Sequence, residues 1–249
     1  MRVAIVSDVH GNLTAFYAVV ADIQRQAPDL VLHGGDLALM GGQPAEVIDR
    51  VRELGWPGVV GNTDEILWQP EEQARQEERA PKLGALLRLI FEQYAPATLE
   101  LLGEQRVDWL RQLPAEYRLD ELVLMHAAPG DLWRAPAPDA EDAQLSAVYE
   151  PLDTATAVYG HIHRPYTRSP KPGLTVANSG SVGTPWDKDP RASYLLVEDG
   201  RPRVIRVAYD IEREAALLLS SGYPDAPRLA EMRRLGAFLR PGSVSRYGV

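Results

Sequence analysis

The stretch Val3-Ala4-Ile5-Val6-Ser7-Asp8-Val9-His10-Gly11-Asn12 decides how this chain is read. Its apolar, β-rich opening predicts a short buried strand, and Gly11 then turns the chain. On an extended backbone, residues two apart point to the same face. Asp8 and His10 would therefore converge at the carboxyl end of the strand, where open α/β sheets place their ligands. A carboxylate and an imidazole aimed together make half of a metal site. Taken alone, the pair is more simply a turn residue and a capped core histidine. The rest of the chain reverses that preference.

The pattern recurs. Asn12 caps a helix predicted from Leu13 to Gln26 and closed by Pro28. Leu30-Val31-Leu32-His33 reads as a second buried strand ending in Gly34-Gly35-Asp36. Pro44 opens a helix to Leu54, stopped by Gly55. Gly58-Val59-Val60, a third strand, then ends in Gly61-Asn62-Thr63-Asp64. Alternating strands and helices predict right-handed crossovers and a mostly parallel sheet. From Glu65 to about Pro114 helices follow one another without a strand. A lid over the strand ends and a purely structural layer account for that segment equally well.

A hairpin of Glu116–Leu119 and Leu122–Met125 across Asp120-Glu121 precedes His126. A Pro-rich loop and a helix near Ala140–Tyr149 lead to the strand Ala157-Val158-Tyr159, which ends in Gly160-His161-Ile162-His163. Leu174–Ala177 runs into Asn178-Ser179-Gly180-Ser181-Val182-Gly183. Strands near Ser193–Val197 and Arg203–Val207 pair across Asp199-Gly200, and helices near Ile211–Ser221 and Pro227–Leu239 precede a polar tail. The expectation is one domain over 1–249, with a helical insertion at about 65–115 and C-terminal helices at about 211–240.

The 249 residues, 45% hydrophobic and 24% charged, suffice for a full core. With no cysteine, disulfides, zinc-thiolate sites and thiol catalysis are excluded, and any metal must be held by nitrogen and oxygen. A net charge of −9 argues against a broad nucleic-acid surface. It leaves room for a phosphate substrate, because bound divalent ions dominate their local field. No run approaches the roughly 20 residues of a membrane span, and Met1 leads into a strand pattern rather than a signal peptide's apolar core. A soluble cytoplasmic protein without a membrane partner is the expectation.

Of the five histidines, His10, His126, His161 and His163 stand at strand ends, whereas His33 reads as a satisfied core histidine. Joined by Asp8, Asp36 and Asn62 they make seven oxygen and nitrogen donors. Seven are too many for one small cation and suit two, roughly 3.5–4 Å apart, with Asp36 as the bridge. Asn62 contributes a neutral oxygen and so leaves the pair net positive for a phosphate. Such a pair polarises phosphoryl oxygens and yields hydroxide for in-line attack at phosphorus, so no nucleophilic side chain is needed.

The segments Asp8-x-His10, Gly34-Gly35-Asp36, Gly61-Asn62-x-Asp64, an isolated His126 and Gly160-His161-x-His163, in this order, resemble the calcineurin-like metallophosphoesterases. Asn178 to Gly183 and Arg191-Ala192-Ser193-Tyr194 resemble the small bacterial and archaeal, phosphodiesterase-like branch. The resemblance covers 1–64 and about 122–198. It implies an α/β four-layer αββα sandwich of two mixed β-sheets flanked by helices. It also implies one metal on Asp8, His10, Asp36 and His163, and a second on Asp36, Asn62, His126 and His161. Manganese leads from ligand hardness, and iron, cobalt, nickel or zinc suit the same donors.

The departure is Thr63, where the family's phosphomonoesterases usually carry a histidine that serves as candidate acid for the leaving group. Threonine donates a hydrogen bond but supplies no acid near neutral pH, a loss of about 10²–10⁴-fold that a low-pKa leaving group feels least. The reading is therefore a dimetal phosphoesterase acting on a small phosphodiester ahead of a monoester, with Asp36, Asn62 and Thr63 at the reacting centre. The alternative is a scaffold or interaction protein of the same fold with weak or lost catalysis. Asn12, Arg134 and Arg164 are candidate substrate contacts, the arginines as bidentate phosphate binders. Asn12 also serves as a helix cap, and Tyr166 and Trp186 read as packing.

Overall fold

Strands buried on both faces lose the polar alternation of a half-exposed sheet, and the apolar runs here do so because each lies inside a four-layer stack. The computed structural model describes residues 1–242, so the polar tail from 243 lies outside the described residues. In β1 (Arg2–Val6), Val3 and Ile5 face the second sheet, while Ala4 and Val6 face helices. One sheet has the order β2 (Leu30–His33), β1, β8 (Ala192–Glu198), β9 (Arg201–Val207). The other is ordered β3 (Glu116–Leu119), β4 (Leu122–Met125), β5 (Thr156–Tyr159), β7 (Leu174–Asn178), β6 (Tyr166–Lys171).

Leu32, Leu124, Val158, Ala177 and Leu195 fill the space between the sheets. Outside the first sheet pack α1 (Leu13–Gln26), α2 (Pro44–Leu54), α9 (Ile211–Ser220) and α10 (Ala226–Leu235). Outside the second packs α8 (Asp142–Tyr149), with Leu145 and Tyr149 against Val123 and Tyr159. This is the sandwich of two mixed sheets that the family resemblance implies.

The mostly parallel single sheet expected from strand–helix alternation is corrected. Among the strands of the described residues, only β1 with β2, β4 with β5, and β5 with β7 are parallel; β1 pairs with β8 antiparallel. The third strand, Gly58-Val59-Val60, shrinks to a single bridge between Gly58 and His33. The Val60 N–H instead donates to Pro114 O at 2.9 Å, at the end of the helical segment. Strand β6 is unforeseen, because Tyr166-Thr167-Arg168-Ser169-Pro170-Lys171 is a half-exposed edge interrupted by proline. Helix α1 is closed by Ala27 in a left-handed conformation (φ 47°) rather than by Pro28 itself, and α10 stops at Leu235, where Gly236 (φ 58°) turns the chain.

Between Asn62 and Pro114 the chain forms α3 (Asn62–Glu65), α4 (Glu72–Arg79), α5 (Gly84–Leu89), α6 (Ala95–Leu102) and α7 (Glu104–Arg111), with a π-turn over Ile90–Tyr94. Phe91, Tyr94, Leu102 and Leu110 tie this segment into the same core as α1 and α2.

His33 is fully buried as expected, with its ring beside Trp109. It is not satisfied: among the described residues neither ring nitrogen has a hydrogen-bond partner. Burial pushes the ring down to about 4 from an ordinary 6.5. A histidine held neutral in this way contributes its full stability above the unfolded pKa, and loses it as the pH falls from 6.5 towards 4. His33→Leu removes that titration. In chelator-treated protein, denaturant midpoints taken from pH 7 to pH 4 should fall more steeply for the wild type. The extra loss should reach roughly 3 kcal/mol. Parallel profiles would show that His33 does not govern acid stability.

Candidate metal centre

The first expectation to change concerns geometry. Strand β1 ends at Val6, so Asp8 and His10 do not converge by alternation along a strand. Both lie in the left-handed region, with φ 56° and 50°, as do Asp36 (53°), His161 (63°) and His163 (55°). A non-glycine residue there is strained by roughly 1–3 kcal/mol and persists only where its surroundings over-determine it. Backbone bonds between the loops supply the constraint. Asp8 N donates to Gly35 O at 3.0 Å, His10 N to Asp36 O at 3.1 Å and Gly11 N to Leu37 O at 2.9 Å. The third loop closes in through glycine: a methyl group at Gly61 would overlap the Asp36 carboxylate, and one at Gly35 (φ 84°) would overlap Gly61.

All seven expected donors come together. His10 Nδ1 donates to Leu39 O at 2.8 Å, and His163 Nδ1 to Thr184 O at 2.6 Å. A carbonyl can only accept, so in each neutral ring the hydrogen sits on Nδ1 and Nε2 presents a lone pair. Those two Nε2 atoms face each other at 3.2 Å, with Asp8 Oδ1 at 3.2 Å from His163 Nε2 and Asp36 Oδ2 at 3.7 Å from His10 Nε2. On the other side, His126 Nδ1 donates to Gly34 O at 2.7 Å, which leaves its Nε2 facing Asn62 Oδ1 at 2.9 Å and Asp36 Oδ2 at 3.5 Å. His161 Nδ1 lies 3.0 Å from the same Asn62 oxygen. Two groups thus have the spacing to hold a metal ion: Asp8, His10 and His163, and Asp8, Asp36 and His126.

Charge in this buried cluster is strongly biased. Burial would raise Asp36, but His126, His10 and His161 outweigh it and hold its carboxyl well below the usual range. Asp8 is likewise held low against burial, chiefly by His163. Burial and the neighbouring His163 push His10 down to about 4, and burial with His126 does the same to His161. His126 goes the other way. Burial opposes its charge, yet Asp36 lifts it to about 9. Its proton then lies between Asn62 Oδ1 and Asp36 Oδ2, where a cation would be equally welcome.

Residues around the donors hold them in place. Asp64 accepts from the N–H groups of Asp36 (2.8 Å), Leu37 (3.1 Å) and Gly61 (3.1 Å), the loop-supporting role its position suggests. Burial and then Asp36 raise its carboxyl to about 7. The Thr63 N–H donates to Asp36 Oδ1 at 2.9 Å, while its buried Oγ1 has no partner among the described residues. Ser181 Oγ donates to Asp8 O at 2.7 Å, and Asn178 Nδ2 to Gly160 O at 2.5 Å. Trp186 stacks on His163 with ring centroids 3.8 Å apart, so it packs against a candidate donor rather than in a remote core.

Of the three candidate substrate contacts, Asn12 is corrected. It is fully buried, caps α1 by accepting from Ala15 N at 2.9 Å, and donates to Gly183 O at 3.0 Å, so it is not placed to touch a substrate. Arg164 and Arg134 are exposed. Arg164 directly follows His163 and donates to Trp186 O, whereas Arg134 sits on the loop beyond His126 and donates to Arg79 O. A cavity of about 740 Å³ lies at the opposite ends of the strands, lined by Met1, Glu121 and Thr156 among others. A smaller polar one of about 250 Å³ starts beside α3, lined by Glu65, Arg75, Arg79, Asp131 and Trp133.

Three proteins are similar to this chain in sequence or in structure. A protein of Methanocaldococcus jannaschii named only as uncharacterised is 26% identical over 245 residues, covering 90% of this chain and 94% of that protein. A Synechococcus protein named as a probable cyclic nucleotide phosphodiesterase is 33% identical over 126 residues, 45% of this chain and 47% of its own length. The crystal structure of a metallophosphoesterase from Sphaerobacter thermophilus superposes with a TM-score of 0.76 at 25% identity, over 95% of this chain and all of that one. The family model of the calcineurin-like phosphoesterase superfamily domain matches residues 1–200, a span that holds every donor described above, and the chain belongs to that superfamily.

Proposed function

We propose that this protein is a dimetal phosphoesterase that hydrolyses phosphodiesters ahead of monoesters. The observation that carries the reading is the meeting of lone pairs. His10 and His163 each spend the Nδ1–H on a backbone carbonyl, so in their neutral forms their Nε2 atoms, 3.2 Å apart, set acceptor against acceptor in a buried interior. Such pairs repel unless positive charge lies among them. Asp8, His10, Asp36 and His163 would hold one divalent cation, and Asp36, Asn62, His126 and His161 the other. Two cations bound there polarise phosphoryl oxygens and make water a nucleophile at neutral pH. Manganese suits the hard oxygen donors, and the same set would accept iron, cobalt, nickel or zinc.

The chain's own residues set the rest. Asp36 is aimed by the Thr63 N–H at Oδ1, which directs Oδ2 towards His10 and His126. The exposed Arg164, adjacent to His163, is the candidate to bind a phosphate oxygen. Thr63 offers a hydroxyl and no proton of suitable pKa, so the leaving group must depart largely unassisted. Substrates with a low-pKa leaving group tolerate that best, and the partial likeness to a protein named as a phosphodiesterase supports the same preference. Selection among diesters would fall to the polar cavity between α4 and the loop at Asp131–Trp133.

With manganese, bis-p-nitrophenyl phosphate should turn over faster than p-nitrophenyl phosphate, and Thr63→His should shift the ratio towards the monoester by roughly tenfold or more. Faster monoester turnover by the wild type would overturn the diester preference. Protein that takes up no manganese would favour the scaffold reading instead.

Gly61→Ala forces a methyl group into the Asp36 carboxylate without removing any donor. Metal analysis should find it short of at least one equivalent, with activity reduced roughly 10²-fold or more. Full metal content and activity in this variant would show that the Gly61–Asp36 contact is not what places the carboxylate.

A further inference from the structure

Helices α9 and α10 lie beyond residue 200, outside the span matched by the family model. One of their side chains nevertheless reaches the back of the metal centre. Arg233 is fully buried, and its Nη2 donates to two backbone carbonyls, Met40 O at 3.1 Å and His10 O at 3.3 Å. Its Nη1 donates to Glu214 Oε1 at 2.6 Å, a bond between α10 and α9. The two carbonyls belong to residues with left-handed backbones, His10 at φ 50° and Met40 at φ 71°. The Leu39 carbonyl, one residue before Met40, fixes the His10 ring through Nδ1 at 2.8 Å. A second C-terminal residue grips the same loop, since the Tyr223 hydroxyl accepts from Met40 N at 3.0 Å.

A buried ion pair is poor evidence of stabilisation, because desolvation offsets much of the attraction. This one is also incompletely bonded: Arg233 Nε and Glu214 Oε2 have no partners among the described residues. What the guanidinium supplies that an apolar side chain would not is geometry. One nitrogen, Nη2, ties the backbone of His10 to that of Met40, next to the Leu39 carbonyl that orients the His10 ring, while Nη1 stays on Glu214.

We infer that Arg233 is a positioning residue for the His10 side of the metal centre, acting through the His10 and Met40 carbonyls; the inference rests on the reading of His10 as a metal ligand. Residues that orient a ligand without touching the metal typically contribute 10–100-fold in affinity.

The test is calorimetric titration of metal-free protein with Mn²⁺. The wild type should show two binding steps, and His10→Ala should identify the step to which His10 contributes. Arg233→Met/Glu214→Met removes both buried charges together, so that no unpaired carboxylate is left behind. It should weaken the His10 step by roughly 10–100-fold and leave the other step unchanged. In the His10→Ala background the same double change should have no further effect on the step that remains. Arg233→Lys keeps a cation beside Glu214 but not the fork, and should show the same selective loss even if the double variant fails to fold. Wild-type affinity in these variants, or an equal loss at both steps, would overturn the positioning role. A wild type that binds no Mn²⁺, or binding indifferent to His10→Ala, would instead overturn the metal reading and this inference with it.

Discussion

Two imidazole nitrogens facing each other at 3.2 Å in a buried interior are the constraint to which the rest of the structure answers. Each ring turns its Nδ1–H to a backbone carbonyl, so a neutral ring meets the other with a lone pair. In a low-dielectric interior that convergence is unfavourable by itself. The rings have no freedom to escape it. Leu39 O and Thr184 O hold their far edges, and Trp186 lies flat against His163. Asp8 and Asp36 add negative charge to the same volume, and His126 answers it with a proton held up to about 9. The proposed cations account for why so many acceptors point inward.

Holding them takes backbone that resists its own preferences. Five of the seven donors sit at positive φ, each in a loop that follows a strand. Strain of that size persists only where the framework is stiff. Here the stiffness comes from strands of four to seven residues whose faces are buried between the sheets and beneath the helices. The loops then brace one another. The first bonds to the second through Asp8, His10 and Gly11, and the second bonds to the third through Asp64 and Thr63.

This division explains what the chain's sequence discloses. The gathering of these seven residues was legible because a polar residue beside a glycine recurs at three successive strand ends, and because five short motifs stand in a family's order. Several helix and hairpin bounds followed from local chemistry, as with Asn12, Gly55 and Asp120-Glu121. The route by which Asp8 and His10 meet was not legible, since positive φ at a non-glycine residue depends on distant carbonyls such as Gly35 O and Asp36 O. Strand β6 was hidden because an exposed edge needs no apolar pattern. Val59 and Val60 look like a strand, but only Val59 N reaches β2, at His33 O, and Val60 N is drawn away to Pro114 O. Arg233 reads in sequence as one more helix arginine, and only packing reveals it as buried.

Residues 63 and 233 support the centre in opposite ways, and the contrast bears on how such a site can vary. Thr63 serves Asp36 through its backbone N–H at 2.9 Å. Any residue except proline has that group, so the side chain at 63 can change without disturbing the carboxylate. Substituting threonine for a histidine there alters the acid available to a leaving group and leaves the seven donors where they are. On the proposed reading, the metal set and the leaving-group chemistry are therefore separable, and substrate preference could drift while the seven residues stay in place. Arg233 has no such freedom. Its Nη2 reaches both the His10 and Met40 carbonyls while Nη1 holds Glu214, a planar spread of N–H groups that no other side chain reproduces. A change there would be felt at His10 however well the replacement packed.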